Sequence, residues 1–204
     1  MKKIFALSVS VVVLIIFLGL IPVHGEADIY DNVIRLHVVA NSNSEEDQTL
    51  KLSVRDAVLD EVSKILDSIP CDSVDKANEL IDAHIEDITL AAKKCLYNEG
   101  YDYDVEVLLG KENYPTKNYE SCAFPSGNYL SLQVKIGEAE GDNWWCVLFP
   151  PLCLSAASET SLSVEDALIN VGFTGAQYRI ITDSDNVTYN VRFKILETFD
   201  EVFS

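Results

Sequence analysis

Between Gly100 and Tyr101 the hydrophobic period of this chain changes from that of a helix to that of a strand, which restricts the fold more than any other feature. Before that point Leu50, Val54, Ala57, Val58, Val62, Ile65 and Leu66 recur at helical spacing. Glu45, Glu46 and Asp47 stand where carboxylates suit the positive end of a helix dipole, and Asn41-Ser42-Asn43-Ser44 supplies capping side chains ahead of them. A helix is therefore expected from Glu45 to Asp67, with Lys51, Arg55, Asp60 and Lys64 on its outer faces. Pro70 and Asp72-Ser73 break and recap the chain. Ala77, Leu80, Ile81, Ile85, Ile88, Ala92, Cys95 and Leu96 then make a second stripe that closes at Lys93, Lys94 and Gly100. Two such helices joined by a short loop form an antiparallel hairpin with one apolar side to cover.

After Tyr101 the residues alternate. Strands are expected at Tyr103–Leu109, Tyr114–Cys122, Tyr129–Ile136 and Trp144–Phe149, with turns at 110–113, 125–128 and 137–143, and the short links argue for an antiparallel meander. An earlier strand, Asn32–Ala40, alternates Ile34, Leu36 and Val38 with Arg35, His37 and Val39 and reads as half-buried. The expected class is α+β: an antiparallel or mixed β-sheet of four to five strands packed against an antiparallel pair of long helices. Val191, Ile195, Leu196, Phe199, Val202 and Phe203 add a C-terminal helix, although Val187–Ile195 also alternates as a strand would. Residues 155–163 read as a polar surface loop.

The N-terminus carries Lys2 and Lys3 and then an uncharged run from Ile4 to Val23, weakened at its far end by Gly19 and Pro22. Val23-His24-Gly25 has the small-residue pattern of a leader cleavage site, so residues 1–25 are expected to be a cleaved export signal or an uncleaved membrane anchor. Residues 26–204 then form a single domain outside the cytoplasm. The formal charge of −18 argues against nucleic acid or an anionic lipid surface as partner. A hydrophobic content of 48% separates the chain from acidic disordered segments.

Catalytic signatures are absent: the chain has no G-x-S-x-G, no H-E-x-x-H, no Gly-rich phosphate loop and no C-x-x-C pair. Three histidines, one of them in the leader, do not make a His-rich metal site, and no cofactor is expected. His84 reads as a helix-face residue. His37, beside Arg35 and ahead of Asn41, is the residue nearest to chemistry, as a polar binding patch, a satisfied structural pair with Arg35, or the base of a Cys–His hydrolase using Cys146 or Cys153. Cys71 and Cys95, at opposite ends of one helix, lie too far apart to pair. Cys146 with Cys153 would close a short loop over Pro150 and Pro151; free thiols are the alternative.

Both tryptophans and two of the five cysteines fall in Asn143-Trp144-Trp145-Cys146-Val147-Leu148-Phe149-Pro150-Pro151-Leu152-Cys153. That density suits either an inner strand with a stiffened exit or a surface built for contact. Exposed-looking polar and aromatic clustering nominates Arg35, His37, Asn41, Asn143, Trp144 and Trp145 as partner-binding residues. This block, with Ile136-Gly137-Glu138-Ala139-Glu140-Gly141 ahead of it, and the segment Ile34-Arg35-Leu36-His37-Val38-Val39-Ala40-Asn41-Ser42-Asn43-Ser44-Glu45-Glu46-Asp47 resemble the stage II sporulation protein R family of endospore-forming bacteria. The resemblance runs from near Val33 to Cys153. It implies a non-enzymatic signal made in the forespore and exported to the space between the two sporulation membranes. There such a protein triggers a membrane-embedded aspartic protease of the mother cell, which processes the pro-sigma-E factor. The runner-up is an exported Cys/His hydrolase of cell-wall or peptide material, and a structural envelope domain is a third reading.

Overall fold

The computed structural model describes residues 27–119, 122–152, 168–169 and 171–182, all within one unit, Glu26–Ser184. The leader, the 155–163 loop, Cys153 and the C-terminal helix lie outside the described residues. In chain order come helix α1 (Ala27–Asp31), strand β1 (Ile34–Val39), helices α2 (Glu45–Asp67), α3 (Val74–Ala83) and α4 (Ile85–Asn98), and strand β2 (Val105–Tyr114). A small ribbon of β3 (Lys117–Asn118) and β4 (Ala123–Phe124), strands β5 (Gly127–Ile136) and β6 (Asn143–Phe149), and helix α5 (Gly175–Thr182) follow.

The class is α+β as expected, but the sheet is mixed and not a meander. Its order is β2-β5-β1-β6, with β1 parallel to β5 and antiparallel to β6. Strand β1 therefore sits inside, paired on both edges, and is covered nearly throughout where the alternation suggested half-burial. Ile34, Leu36 and Val38 join Leu132, Val134, Ile136 and Leu148 against Val54, Val58, Val62, Ile81, Ile88 and Leu96 of the helices. The opposite face carries a second cluster of Ile29, Val33, Tyr114, Phe124, Tyr129, Val147, Leu168, Phe173 and Ile181. Burial on both faces is why β1 holds apolar residues on its inner side and a buried arginine on its outer one.

Three local expectations fail for identifiable reasons. The second helical stripe is broken at His84 (φ −117°, ψ 21°). The His84 ring donates through Nδ1 to the Leu80 carbonyl at 2.8 Å, the acceptor that a continuing helix would give to the His84 backbone N–H, and that N–H turns to Ile81 O instead. Residues 110–113 are not a turn. Gly110 is extended, and β2 runs straight through it in ten consecutive pairs with β5. The chain leaves the sheet at Pro115, so the strand expected at Tyr114–Cys122 is replaced by the β3/β4 ribbon.

The link from β5 to β6 has to pass over the C-terminal end of β1, and this arch explains both sequence segments singled out above. Glu140 N–H bonds Asn41 O at 3.2 Å and Gly141 N–H bonds Ala40 O at 2.9 Å. The Asn41 and Asn43 side-chain oxygens accept from Glu138 N at 3.0 Å and Asp142 N at 2.7 Å. A Cβ at Gly137, whose φ is +58°, would run into the Asn41 amide, and one at Gly141 into the Ser42 carbonyl. Lys51, expected outside, is buried because its Nζ reaches Asp142 O at 3.0 Å and Gln48 Oε1 at 2.6 Å.

Asp47 anchors the near side of the arch. Ser44 caps α2 by accepting from Asp47 N at 3.1 Å. The buried carboxylate accepts from Ser42 Oγ at 2.6 Å and Asn41 Nδ2 at 2.8 Å, which hold its pKa below the usual 3.8. A depressed carboxylate stabilises the fold above its unfolded pKa and loses that contribution as pH falls through the folded value. Asp47→Asn should cost about 2 kcal/mol at neutral pH. The gap to the wild type in urea unfolding should shrink once pH falls below about 4.

Candidate interaction surface

The outer sheet face is organised in rows that cross the strands. The innermost row, Gly110, Ser131, Arg35 and Val147, lies beneath the second cluster. Beside it runs Leu108, Gln133, His37 and Trp145, and beyond that Glu106, Lys135, Val39 and Asn143. Exposure rises along most of them: Arg35 and Ser131 are fully buried, Gln133, His37, Trp145 and Lys135 half-buried, and Leu108, Glu106 and Asn143 exposed, with Val39 of the inner strand still buried. Half of this face is thus covered and half open.

Arg35 holds the covered half together. Its guanidinium carbon lies 4.4 Å from the Tyr114 ring centre, 5.0 Å from Tyr129, 5.4 Å from Phe124 and 6.0 Å from Tyr119. Nε donates to Cys146 O at 3.1 Å and Nη2 to the Tyr119 hydroxyl at 2.8 Å, while among the described residues Nη1 has no hydrogen-bond partner. Among the described residues its charge is sheltered by ring quadrupoles and not by a carboxylate. Burial raises the Tyr114 and Tyr119 hydroxyls above their ordinary range and pushes the Cys122 thiol up to about 11, with the nearby cation opposing each shift. Arg35, nominated above for partner contact, is inaccessible; its place in the strand interior makes it a scaffold residue.

Next to the cage a polar chain crosses the sheet. The Tyr114 hydroxyl and Ser131 Oγ are 2.7 Å apart, Ser131 Oγ donates to Glu112 Oε2 at 3.0 Å, and Glu112 Oε1 meets His37 Nδ1 at 2.9 Å. His37 Nε2 ends the chain on Asn143 Oδ1 at 2.7 Å. The imidazole also stacks on Trp145, 5.4 Å between centres and 24° apart, and Lys117 Nζ lies 3.6 Å from the Trp145 ring centre. His37 and Trp145 are therefore fixed in place before any partner arrives.

Of the sequence-nominated residues, the structure brings His37, Asn143 and Trp145 together and separates the others. Trp144 points to the helix side, where the Arg55 guanidinium lies 4.8 Å from its ring centre, because neighbours on a strand face opposite ways. Asn41 is spent on the arch. Cys146 faces the helix-side core and is disulfide-bonded, whereas Cys71, Cys95 and Cys122 are free. With both His37 nitrogens engaged and Cys146 on the far face, a thiolate–imidazole pair is not assembled there. Among the described residues no group of three or more His, Cys, Asp or Glu is placed to hold a metal, and no helix is long and apolar enough to cross a membrane.

Leu108, Glu112, Lys117, Ser131 and Gln133 were missed from the sequence. Alternation through Gly110 would have put Glu112 and Leu108 on one face, but the glycine reads as a turn. The pairing that sets Gln133 beside His37 is parallel and nonlocal, and no short-range pattern signals it.

The stage II sporulation protein R family model matches residues 30–159, more than half of the chain. The stage II sporulation protein R of Bacillus subtilis (strain 168) is 39% identical over 123 residues, covering 60% of this chain and 54% of that protein. The chain thus spans about half the length of that curated relative. No solved structure matches. The matched region contains the arch, the Arg35 cage and the open rows.

Arg35→Ala should open a void among four rings and strand the Cys146 carbonyl and Tyr119 hydroxyl, costing about 3–5 kcal/mol in denaturant unfolding. Arg35→Met, which fills the cage without the charge, should recover at least about half of that loss. Equal, small effects of the two changes would show that Arg35 is not a scaffold residue.

Proposed function

The chain belongs to the stage II sporulation protein R family, and from that premise we propose that it is an exported sporulation signal whose open sheet face activates a membrane-embedded aspartic protease. That protease then processes the pro-sigma-E factor and starts mother-cell gene expression. The observation that carries the contact surface is the row Leu108, Gln133, His37 and Trp145, in which an exposed aliphatic side chain and a rigidly stacked aromatic share one open face with exposed Asn143. Fixed aromatic residues ringed by polar groups are the usual energetic centre of a protein interface.

Several features support the extracytoplasmic setting. The basic and apolar start of the sequence reads as an export signal. The disulfide at Cys146 suits a compartment outside the reducing cytoplasm, and the intermembrane space of the sporulating cell is such a place. The acidic chain is a poor ligand for nucleic acid. The Cys/His hydrolase reading finds less support, because Cys146 is disulfide-bonded and faces away from His37.

Activation without chemistry requires differential affinity. A signal that moves its receptor from about 1% to about 99% active must bind the active state about 10⁴-fold more tightly. Trp145→Ala, in a protein that still folds and is exported, should weaken receptor binding by about 2 kcal/mol, roughly thirty-fold. Pro-sigma processing in cells should fall accordingly. Trp144→Ala should act through stability alone and leave processing intact when folded protein is matched. Full processing with Trp145→Ala would remove the open face from the account.

A further inference from the structure

Strand β2 forms one edge of the sheet, and that edge is long, regular and, among the described residues, unpaired on its outer side. Ten consecutive residues pair with β5 without a register shift, giving an edge of roughly 33 Å. In an antiparallel pair about half of these residues turn their N–H and C=O groups away from the neighbour. Proteins ordinarily blunt such an edge with proline, bulges, charge or brevity. Here proline is absent within β2, no bulge interrupts it, and Lys111 is its single lysine. Leu108 is 42% exposed on it, and a side chain added at Gly110 would meet nothing within 4 Å.

Charge selects among the strands that might add there. Asp102, Asp104, Glu106 and Glu112 lie along or just ahead of β2. Asp104 and Glu106 keep 89% and 59% of their side-chain surface exposed despite pairing with Lys93 and Lys135, and the chain carries −18 overall. A second copy is a poor occupant. Opposed residues in an antiparallel pair share a face, so two β2 strands pair only in registers centred on a residue. Centred on Leu109, Glu106 opposes Glu112 twice; centred on Leu108, Asp104 opposes Glu112 twice; centred on Gly110, Glu112 meets apolar Leu108.

We propose that the outer edge of β2 binds an extended, basic segment of a partner protein, which adds to the sheet as a further strand. One lysine or arginine side chain stands opposite Glu106 and a second beside Glu112, whose carboxylate keeps its bonds to Ser131 and His37, while a large side chain fills the space beside Gly110. Main-chain hydrogen bonds supply the affinity and the alternating side chains the selectivity.

The test uses the isotope-labelled full chain and the synthetic peptide Lys-Thr-Tyr-Val-Thr-Val-Lys-Thr, followed by NMR and amide exchange. Shift changes and slowed exchange should be confined to β2 and its immediate surroundings. Exchanging both peptide lysines for glutamate, or making Glu106→Lys, should weaken binding by at least about tenfold. No perturbation at millimolar peptide, or perturbation centred elsewhere, would overturn the proposal. So would self-association that protects β2 without peptide, since the occupant would then be a second copy. The assay contains no protease, so its failure leaves the preceding functional reading untouched.

Discussion

The connection that crosses the end of β1 is the constraint on which the rest of the molecule depends. Because β5 and β6 flank β1, the chain between them must step over a strand end whose carbonyls and side chains are already turning into α2. Asn41, Asn43, Asp47 and Lys51 tie that crossing down, and Gly137 and Gly141 let it come close enough. Without the crossing, β1 could not lie between two strands that are distant from it in sequence. Its outer face would then not present Arg35 and His37 in neighbouring rows.

Arg35 converts that topology into a surface with two halves. A guanidinium enclosed by four aromatic rings needs those rings held over the sheet, and the ribbon, α1 and Leu168, Phe173 and Ile181 supply or support the cover. The next row is the first that the cover does not reach. Glu112 and Ser131 carry the order of the buried half outward to His37, and stacking passes it on to Trp145. A protein that acts by contact gains from such an arrangement, since little side-chain entropy remains to be lost on binding.

Much of this was legible in the sequence and some of it was not, for physical reasons. The α2 helix, a cap drawn from Asn41-Ser42-Asn43-Ser44 and the class of the fold followed from local periodicity and capping chemistry. His37, Asn143 and Trp145, three of the residues nominated for partner contact, lie side by side on the outer face. Arg35 misled because a charged residue at an alternating position reads as exposed; only the tertiary placement of Tyr114, Tyr119, Phe124 and Tyr129 reveals a cage. Trp144 misled because adjacency in sequence was read as adjacency on a surface, which a strand forbids. The parallel β1–β5 pairing was hidden because residues far apart in sequence specify it together. The break at His84 depends on one side chain competing for one carbonyl, which helical periodicity does not report.

The proposed function places a partner on the open half of the outer sheet face. Photo-crosslinking groups placed singly at Leu108, Gln133 and Asn143, and at Leu90 and Tyr97 on the exposed helix side, test it most directly in sporulating cells. Contact through the open face should give crosslinks to the membrane protease from the three sheet positions and none from the two helix positions. Crosslinks from the helix side alone would place the contact surface on the opposite face of the molecule and contradict it.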